Sequence, residues 1–133
     1  MDERQILLVK VSWSNIYKRQ ELFEAIFLKQ FRNQCPQQNN YSKHKTFKEI
    51  SNLINLLVLN IHSFQNIFTP LDAQVKIFEE HGFDREGFNN LVQAFLLTLE
   101  KIQGSAWNVE VKSAWVIAIA TFSYKYTEML ETA

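Results

Sequence analysis

Residues 84–104 read DREGFNNLVQAFLLTLEKIQG, and this stretch decides the fold class. Its apolar residues recur at steps of three and four, which places them on one stripe of an α-helix: Phe88, Leu91, Val92, Phe95, Leu96, Leu99 and Ile102. Asp84 is placed to cap the N-terminus of this helix, and Gly104 can supply the left-handed residue that ends it. The spacing therefore predicts a helix between these two residues.

The same periodicity continues on both sides of this helix. A second long helix is predicted to begin after Asn108 and to run to about Leu130, on the stripe Val111, Trp115, Ala118, Ile119, Phe122 and Tyr126. A third helix is predicted over residues 45–62, on the stripe Phe47, Ile50, Leu53, Ile54, Leu57, Val58 and Ile61.

Shorter patterns complete the chain. Thr69 and Pro70 are typical of a helix start, and a short helix of about ten residues with Leu71, Val75 and Phe78 on one face is predicted to follow. Two N-terminal helices are indicated by the stripes Ile6, Val9, Trp13, Ile16 and Phe23, Ile26, Phe27, Phe31, the second ending at Cys35-Pro36. The polar stretch 37–43 is predicted to be a loop. We expect six helices around one core, in a single domain that spans 1–133.

Composition agrees with an all-α domain that buries a large core. Apolar residues make up 47% of the 133 residues, which is too many for a disordered chain of this length. Only three Gly and two Pro occur, fewer than the turns of a sandwich or barrel of short strands require. Helices are therefore favoured over sheets.

Charge and cysteine content indicate which binding partners and which cellular compartment to expect. Fourteen basic side chains balance fourteen acidic ones, which gives no reason to expect nucleic acid or an anionic membrane surface as a partner. Cys35 is the single cysteine and cannot form an intramolecular disulfide, and the N-terminus lacks the pattern of a signal peptide. Asn and Lys interrupt every apolar stretch well before it reaches the length of a membrane span. We expect a cytoplasmic protein.

The order and spacing of these segments resemble bacterial globins, most closely the globin domain of flavohaemoglobins and their single-domain relatives. NIHSFQNIFTPLDAQVKIFEEHGF (60–83) resembles the family's segment that leads into and through the proximal helix. GFNNLVQAFLLTLEKIQG (87–104) and EVKSAWVIAIATFSYKYTEML (110–130) resemble its last two helices. LVKVSWSNI (8–16) and LFEAIFLKQFRNQCP (22–36) resemble its first two. The resemblance implies an all-α, globin-like fold of six or more helices.

Globins of this kind hold a haem iron through a proximal histidine, and the resemblance places Phe78 at that position. Phenylalanine cannot ligate iron. The distal position that usually carries His or Gln falls at Thr46, and the tyrosine that bacterial globins commonly have in the second helix falls at Leu28. The resemblance therefore implies the scaffold of a globin without its usual oxygen chemistry, and we expect no haem.

His81 supplies the alternative to a haem-free domain. It follows Phe78 by three residues and lies on roughly the same side of a helix, so it could serve as the proximal ligand of haem b in a protein that binds oxygen or nitric oxide. His44 and His62 are interpreted as solvated side chains. The three histidines and Cys35 show no spacing typical of another metal site or of a nucleophile, so we expect no enzyme activity.

Two functions remain for the aromatic side chains beyond core packing. A residual apolar pocket, inferred from Leu28, Thr46, Phe47, Leu57, Phe78 and Phe95, would hold a small hydrophobic ligand such as a fatty acid. The last two helices, with Trp115, Tyr124 and Tyr126, would present a face to a second copy or to a signalling partner, although an ordinary amphipathic helix explains these three residues equally well. The sequence thus predicts a sensory or interaction module.

Overall fold

The computed structural model describes residues 1–34, 43–62, 73, 76, 80 and 85–132, and for 43–46, 125–127 and 129–132 it describes the backbone only. Every regular element within these ranges is helical, which confirms the all-α fold class. Five α-helices are described: α1 (Glu3–Tyr17), α2 (Gln20–Gln34), α3 (Lys43–Leu59), α4 (Arg85–Gln103) and α5 (Val109–Thr132). A single 3₁₀ turn (Gly104–Ala106) connects α4 to α5.

The ends of α4 and α5 follow the signals in the sequence. Gly104 has φ +52°, so it supplies the left-handed residue that was predicted to end α4. The side-chain oxygen of Asn108 accepts a hydrogen bond of 3.0 Å from the backbone N–H of Val111, which satisfies one of the free donors in the first turn of α5. The predicted start of α5 after Asn108 is therefore confirmed.

The predicted limits of α3 were wrong by two or three residues at each end. The helix already includes Lys43 and ends at Leu59 instead of residue 62. At the C-terminal end, the backbone N–H groups of Asn60 and Ile61 donate to the carbonyls of Leu57 and Val58, three residues back, at 3.2 and 3.4 Å, so the last turn tightens to 3₁₀-type bonding. The side-chain amide of Asn60 also donates to the carbonyl of Leu56 at 2.9 Å. Ile61 is buried although it lies beyond the helix, so the apolar stripe continues past the point where the helix ends.

The predicted short helix after Thr69 is described at three residues only. Ala73, Lys76 and Glu80 all have helical backbone, and their side chains are exposed. Phe78, which was predicted to face inward from this segment, lies outside the described residues, as do Asp84 and Cys35. A sixth helix therefore stays a prediction, and with it the globin-like arrangement of six or more helices.

The described helices share one contiguous apolar core. The most extensive helix contact is that of α2 with α4, followed by that of α1 with α5, and α3 packs against both α1 and α2. The centre of the core is aromatic, and seven of its members come from all five helices: Trp13, Phe23, Phe27, Phe31, Phe47, Phe95 and Trp115. Their rings lie at the centroid separations that favour edge-to-face and tilted contacts, for example 5.7 Å between Phe95 and Trp115.

The two indole N–H groups of this aromatic core are paired. The indole N–H of Trp115 donates to the hydroxyl of Ser12 at 3.0 Å, and that of Trp13 donates to the side-chain oxygen of Asn55 at 2.7 Å. Each bond joins two helices, so it fixes the position of one helix relative to another as well as satisfying a donor.

An exposed ion pair joins the beginnings of α1 and α5. The Arg4 guanidinium donates to both carboxylate oxygens of Glu110, at 2.6 and 2.9 Å. Mainly through this hydrogen bond, Arg4 holds the pKa of the Glu110 carboxyl below its ordinary value. Because both side chains are exposed, the pair orients the two helices more than it stabilises them.

Candidate functional site

An apolar cleft lies where α3, α4 and α5 meet. The cleft is narrow: the free volume between its described walls is about 10 Å³, roughly what one water molecule needs. Four side chains of α3, three of α4 and three of α5 line it: Ile50, Leu53, Ile54 and Leu57; Phe88, Val92 and Phe95; Ile119, Phe122 and Ser123. Ser123 is the single polar residue in this described lining, so the cleft presents carbon atoms almost throughout.

Helical spacing explains why these residues converge. In α3 the lining residues share one face, since Ile54 and Leu57 lie four residues after Ile50 and Leu53, and in α4 Phe88, Val92 and Phe95 follow at steps of four and three. The cleft is thus formed where three apolar stripes meet. Phe95 belongs both to the cleft and to the aromatic core, where its ring centroid lies 6.1 Å from those of Trp13 and Phe23. The cleft therefore borders the aromatic core at Phe95.

The structure brings together only part of the pocket inferred from the sequence. Leu57 and Phe95 both line the cleft. Phe47 lies away from its described lining, in the aromatic core, where its ring centroid is 5.0 Å from that of Phe23. Leu28 is half-buried against the core.

The remaining predicted positions lie in parts of the chain that are described by their backbone only or not at all. Thr46 lies in the first turns of α3, and its side chain is outside the described part of the chain. Phe78 and His81 both lie outside the described residues. The pocket around these positions stays a prediction.

Sequence reasoning missed most of the residues that line the cleft. Ile50, Leu53 and Ile54 of α3 and Val92 of α4 were assigned to apolar stripes but not to the pocket. The signal that could have identified them is the intersection of three stripes, because a gap opens at the edge of a stripe where helices separate. Such an intersection depends on helix crossing, which a single stripe does not reveal.

The described walls of the cleft contain no side chain that could ligate haem iron. Among these lining residues there is no imidazole, thiolate or thioether, and those groups are the usual protein ligands of haem iron. Across the described part of the chain, no group of three or more His, Cys, Asp or Glu side chains is placed to hold a metal ion. The described walls therefore fit an apolar molecule better than a ligated haem.

Of the other two histidines, His62 has a described side chain, and it is not among the residues that line the cleft. The ring of His62 is exposed and its Nδ1 lies 3.9 Å from a carboxylate oxygen of Glu3. His44 is in the first turn of α3 instead of the predicted loop, and its side chain is outside the described residues.

The three aromatic residues considered for a partner face on the last helix have different surroundings. Trp115 is fully buried and bonded to Ser12, so of the two explanations left open for it, core packing on the apolar stripe of α5 is confirmed. Tyr124 is 69% exposed. Tyr126 has a helical backbone, and its side chain lies outside the description.

Within the described residues, no helix combines the length and the hydropathy that a bilayer span requires. A scan of this chain against models of known protein families gives no match. A search among curated proteins gives no significant match either.

Proposed function

We propose that this chain is a globin-like domain without the usual haem ligation, which binds a small apolar ligand in the α3–α4–α5 cleft and acts as a sensory or interaction module. The observation that carries the proposal is the cleft itself, whose described lining is carbon apart from one hydroxyl. A ligand that buries apolar surface there gains roughly 25 cal/mol per Å² removed from water. Because the free volume between the described walls is only about 10 Å³, a small apolar ligand enters when the three helices move apart and the cleft widens.

The position of the cleft supports the role of a sensor. Its walls come from three different helices, so a ligand that fills it changes the packing of α3 against α4 and α5 at once. Packed interfaces respond to such a change by shifting between discrete arrangements. The globin-like order of the segments and Phe78 at the proximal position are the further support, and both rest on the resemblance.

The absorbance spectrum distinguishes this proposal from the haem-binding alternative. Protein produced with ample haem supply, or titrated with haemin, is expected to show no Soret band of stoichiometric intensity, because phenylalanine at position 78 offers no ligand. A stoichiometric band would contradict the proposal. If that band were lost on replacing His81 with alanine, the domain would instead be a haem b protein that binds oxygen or nitric oxide through His81.

Ligand binding can be tested at the cleft with two matched variants of α4. Toluene and decanoate, followed by ligand-observed NMR, serve as probes. Val92→Phe is expected to weaken binding at least about tenfold, because the added ring occupies the cleft. Leu96→Phe is the control, since Leu96 is also partly buried on α4 but is not among the residues that line the cleft. Equal binding by both variants, or no binding by the unmodified protein, would contradict the proposal.

A further inference from the structure

Two walls of the cleft are held more firmly than the third. α4 and α5 take part in the two most extensive helix contacts, α4 with α2 and α5 with α1. α5 is also tied to α1 by the hydrogen bond between Trp115 and Ser12. α3 packs less extensively, and its described helix contacts are mainly with α1 and α2 instead of with α4 and α5 across the cleft. α3 is therefore the wall that moves with the smallest loss of packing.

Two of the described contacts that hold α3 on the core differ in kind. Near the beginning of the helix, the ring centroid of Phe47 lies 5.0 Å from that of Phe23 and 5.8 Å from that of Phe27, both on α2. About 12 Å further along the axis, the side-chain oxygen of Asn55 accepts the 2.7 Å hydrogen bond from the indole N–H of Trp13 on α1. Ring contacts persist over a range of centroid separations, whereas a hydrogen bond weakens once donor and acceptor separate beyond about 3.2 Å. A small tilt of α3 about Phe47 therefore breaks the polar contact and keeps the aromatic one.

The position of Asn55 on α3 determines how its bond responds when the cleft widens. Asn55 lies two residues from both Leu53 and Leu57, which line the cleft, so it is about 160° away from them around the helix axis. The cleft and α1 thus flank α3 on opposite sides, and Trp13, which is buried in the core, blocks a sideways shift of α3 towards α1. A ligand that separates α3 from α4 and α5 therefore moves it outwards, and this movement lengthens the bond to Trp13. The side of α3 that faces outwards is exposed, at Lys48, Asn52 and Leu59.

We infer that the hydrogen bond between Asn55 and Trp13 is a latch that keeps the cleft closed, and that a small apolar ligand binds by lifting α3 off this latch about a pivot at Phe47. The inference rests on the proposed ligand binding and identifies what regulates it. Because the bond exists in the closed form only, its net free energy opposes ligand binding. By reciprocity, a bound ligand weakens the bond, so occupancy of the cleft is transmitted to Trp13 and α1.

The affinity for toluene, measured by ligand-observed NMR, tests the latch. Asn55→Ala removes the acceptor and is expected to lower the dissociation constant of toluene roughly two- to tenfold, the factor that corresponds to one hydrogen bond of ordinary net strength. Asn52→Ala is the matched control, because Asn52 belongs to the same helix but is exposed, and it should leave the dissociation constant unchanged. If Asn55→Ala bound toluene no more tightly than Asn52→Ala does, the inference would be overturned. Absence of toluene binding in all three proteins would instead contradict the proposed function on which the inference rests.

Hydrogen exchange of the indole N–H groups tests the latch in the unmodified protein. A ligand that binds the folded state and leaves the bond intact slows the exchange of protected groups, because it lowers the population of opened forms. The latch predicts the reverse at Trp13: saturating toluene is expected to speed up exchange of its indole N–H at least about threefold, because the bond to Asn55 is lost. The indole N–H of Trp115, bonded to Ser12, is the internal control and should not exchange faster. Slower or unchanged exchange at Trp13 with toluene bound would overturn the inference.

Discussion

Replacing Phe23 with alanine is expected to lower the free energy of unfolding by about 3–5 kcal/mol. Phe23 is fully buried on α2, and its ring centroid lies 5.0 Å from that of Phe47, 5.5 Å from Trp13, 6.1 Å from Phe95 and 6.3 Å from Phe27. Truncation therefore removes contacts to four aromatic rings on four helices, including its own. Because those rings also contact one another, they can collapse only partly into the hole.

Urea denaturation followed by circular dichroism measures this loss. Leu22→Ala is the control, because Leu22 precedes Phe23 in the same helix and is 44% exposed. A surface change of this kind is expected to alter the free energy of unfolding by only about 0.5 kcal/mol. Similar losses in the two variants would show that α2 does not anchor the core as the structure indicates.

The helices that meet at Phe23 could be predicted because their signals are local. A stripe such as Phe23, Phe27 and Phe31 depends only on the helical period, and a cap such as Asn108 depends only on its neighbours in the chain. Both features are confirmed, since the three phenylalanines are fully buried and Asn108 caps α5. The contact between α2 and α4 that makes Phe23 central is not local, so the sequence pattern gave no indication of it.

The limits of α3 show where local reasoning was insufficient. Its apolar stripe continues to Ile61, and the prediction therefore extended the helix to residue 62. The structure ends it at Leu59, where the backbone N–H groups of Asn60 and Ile61 donate to carbonyls three residues back, while Ile61 still packs into the core from outside the helix. Burial alone therefore does not mark a helix end, since a residue in a turn can be as buried as one in a helix.

The candidate site was predicted only in part for a related reason. Phe47 and Leu57 belong to one stripe of α3, and both are buried, yet Phe47 contacts α2 whereas Leu57 lines the cleft. An apolar stripe is roughly 100° wide, so its two edges can face different neighbours. Which edge faces the cleft depends on how α3 crosses the other helices, and this information is absent from the stripe itself.

Replacing Leu57 with alanine is expected to lower the free energy of unfolding by about 2–5 kcal/mol and, at the same time, to strengthen ligand binding. Leu57 is fully buried and lines the cleft, so its truncation enlarges the apolar space that the ligand enters. An enlarged space with carbon walls stays dry and accepts small aromatic molecules. A saturating ligand that binds only the folded state then restores part of the loss, about 2.7 kcal/mol when its concentration is a hundred times its dissociation constant.

Thermal unfolding with and without toluene measures both effects in one series. Leu57→Ala alone should unfold at a lower temperature, and toluene should raise this temperature more than it does in the unmodified protein. Adding Val92→Phe to the same chain provides the control, because the new ring refills the space opened in the cleft and toluene should then have little effect. If toluene stabilised the single and the double variant equally, the ligand would be binding elsewhere. If it stabilised neither, the cleft would be part of the packing of the core and not a binding site.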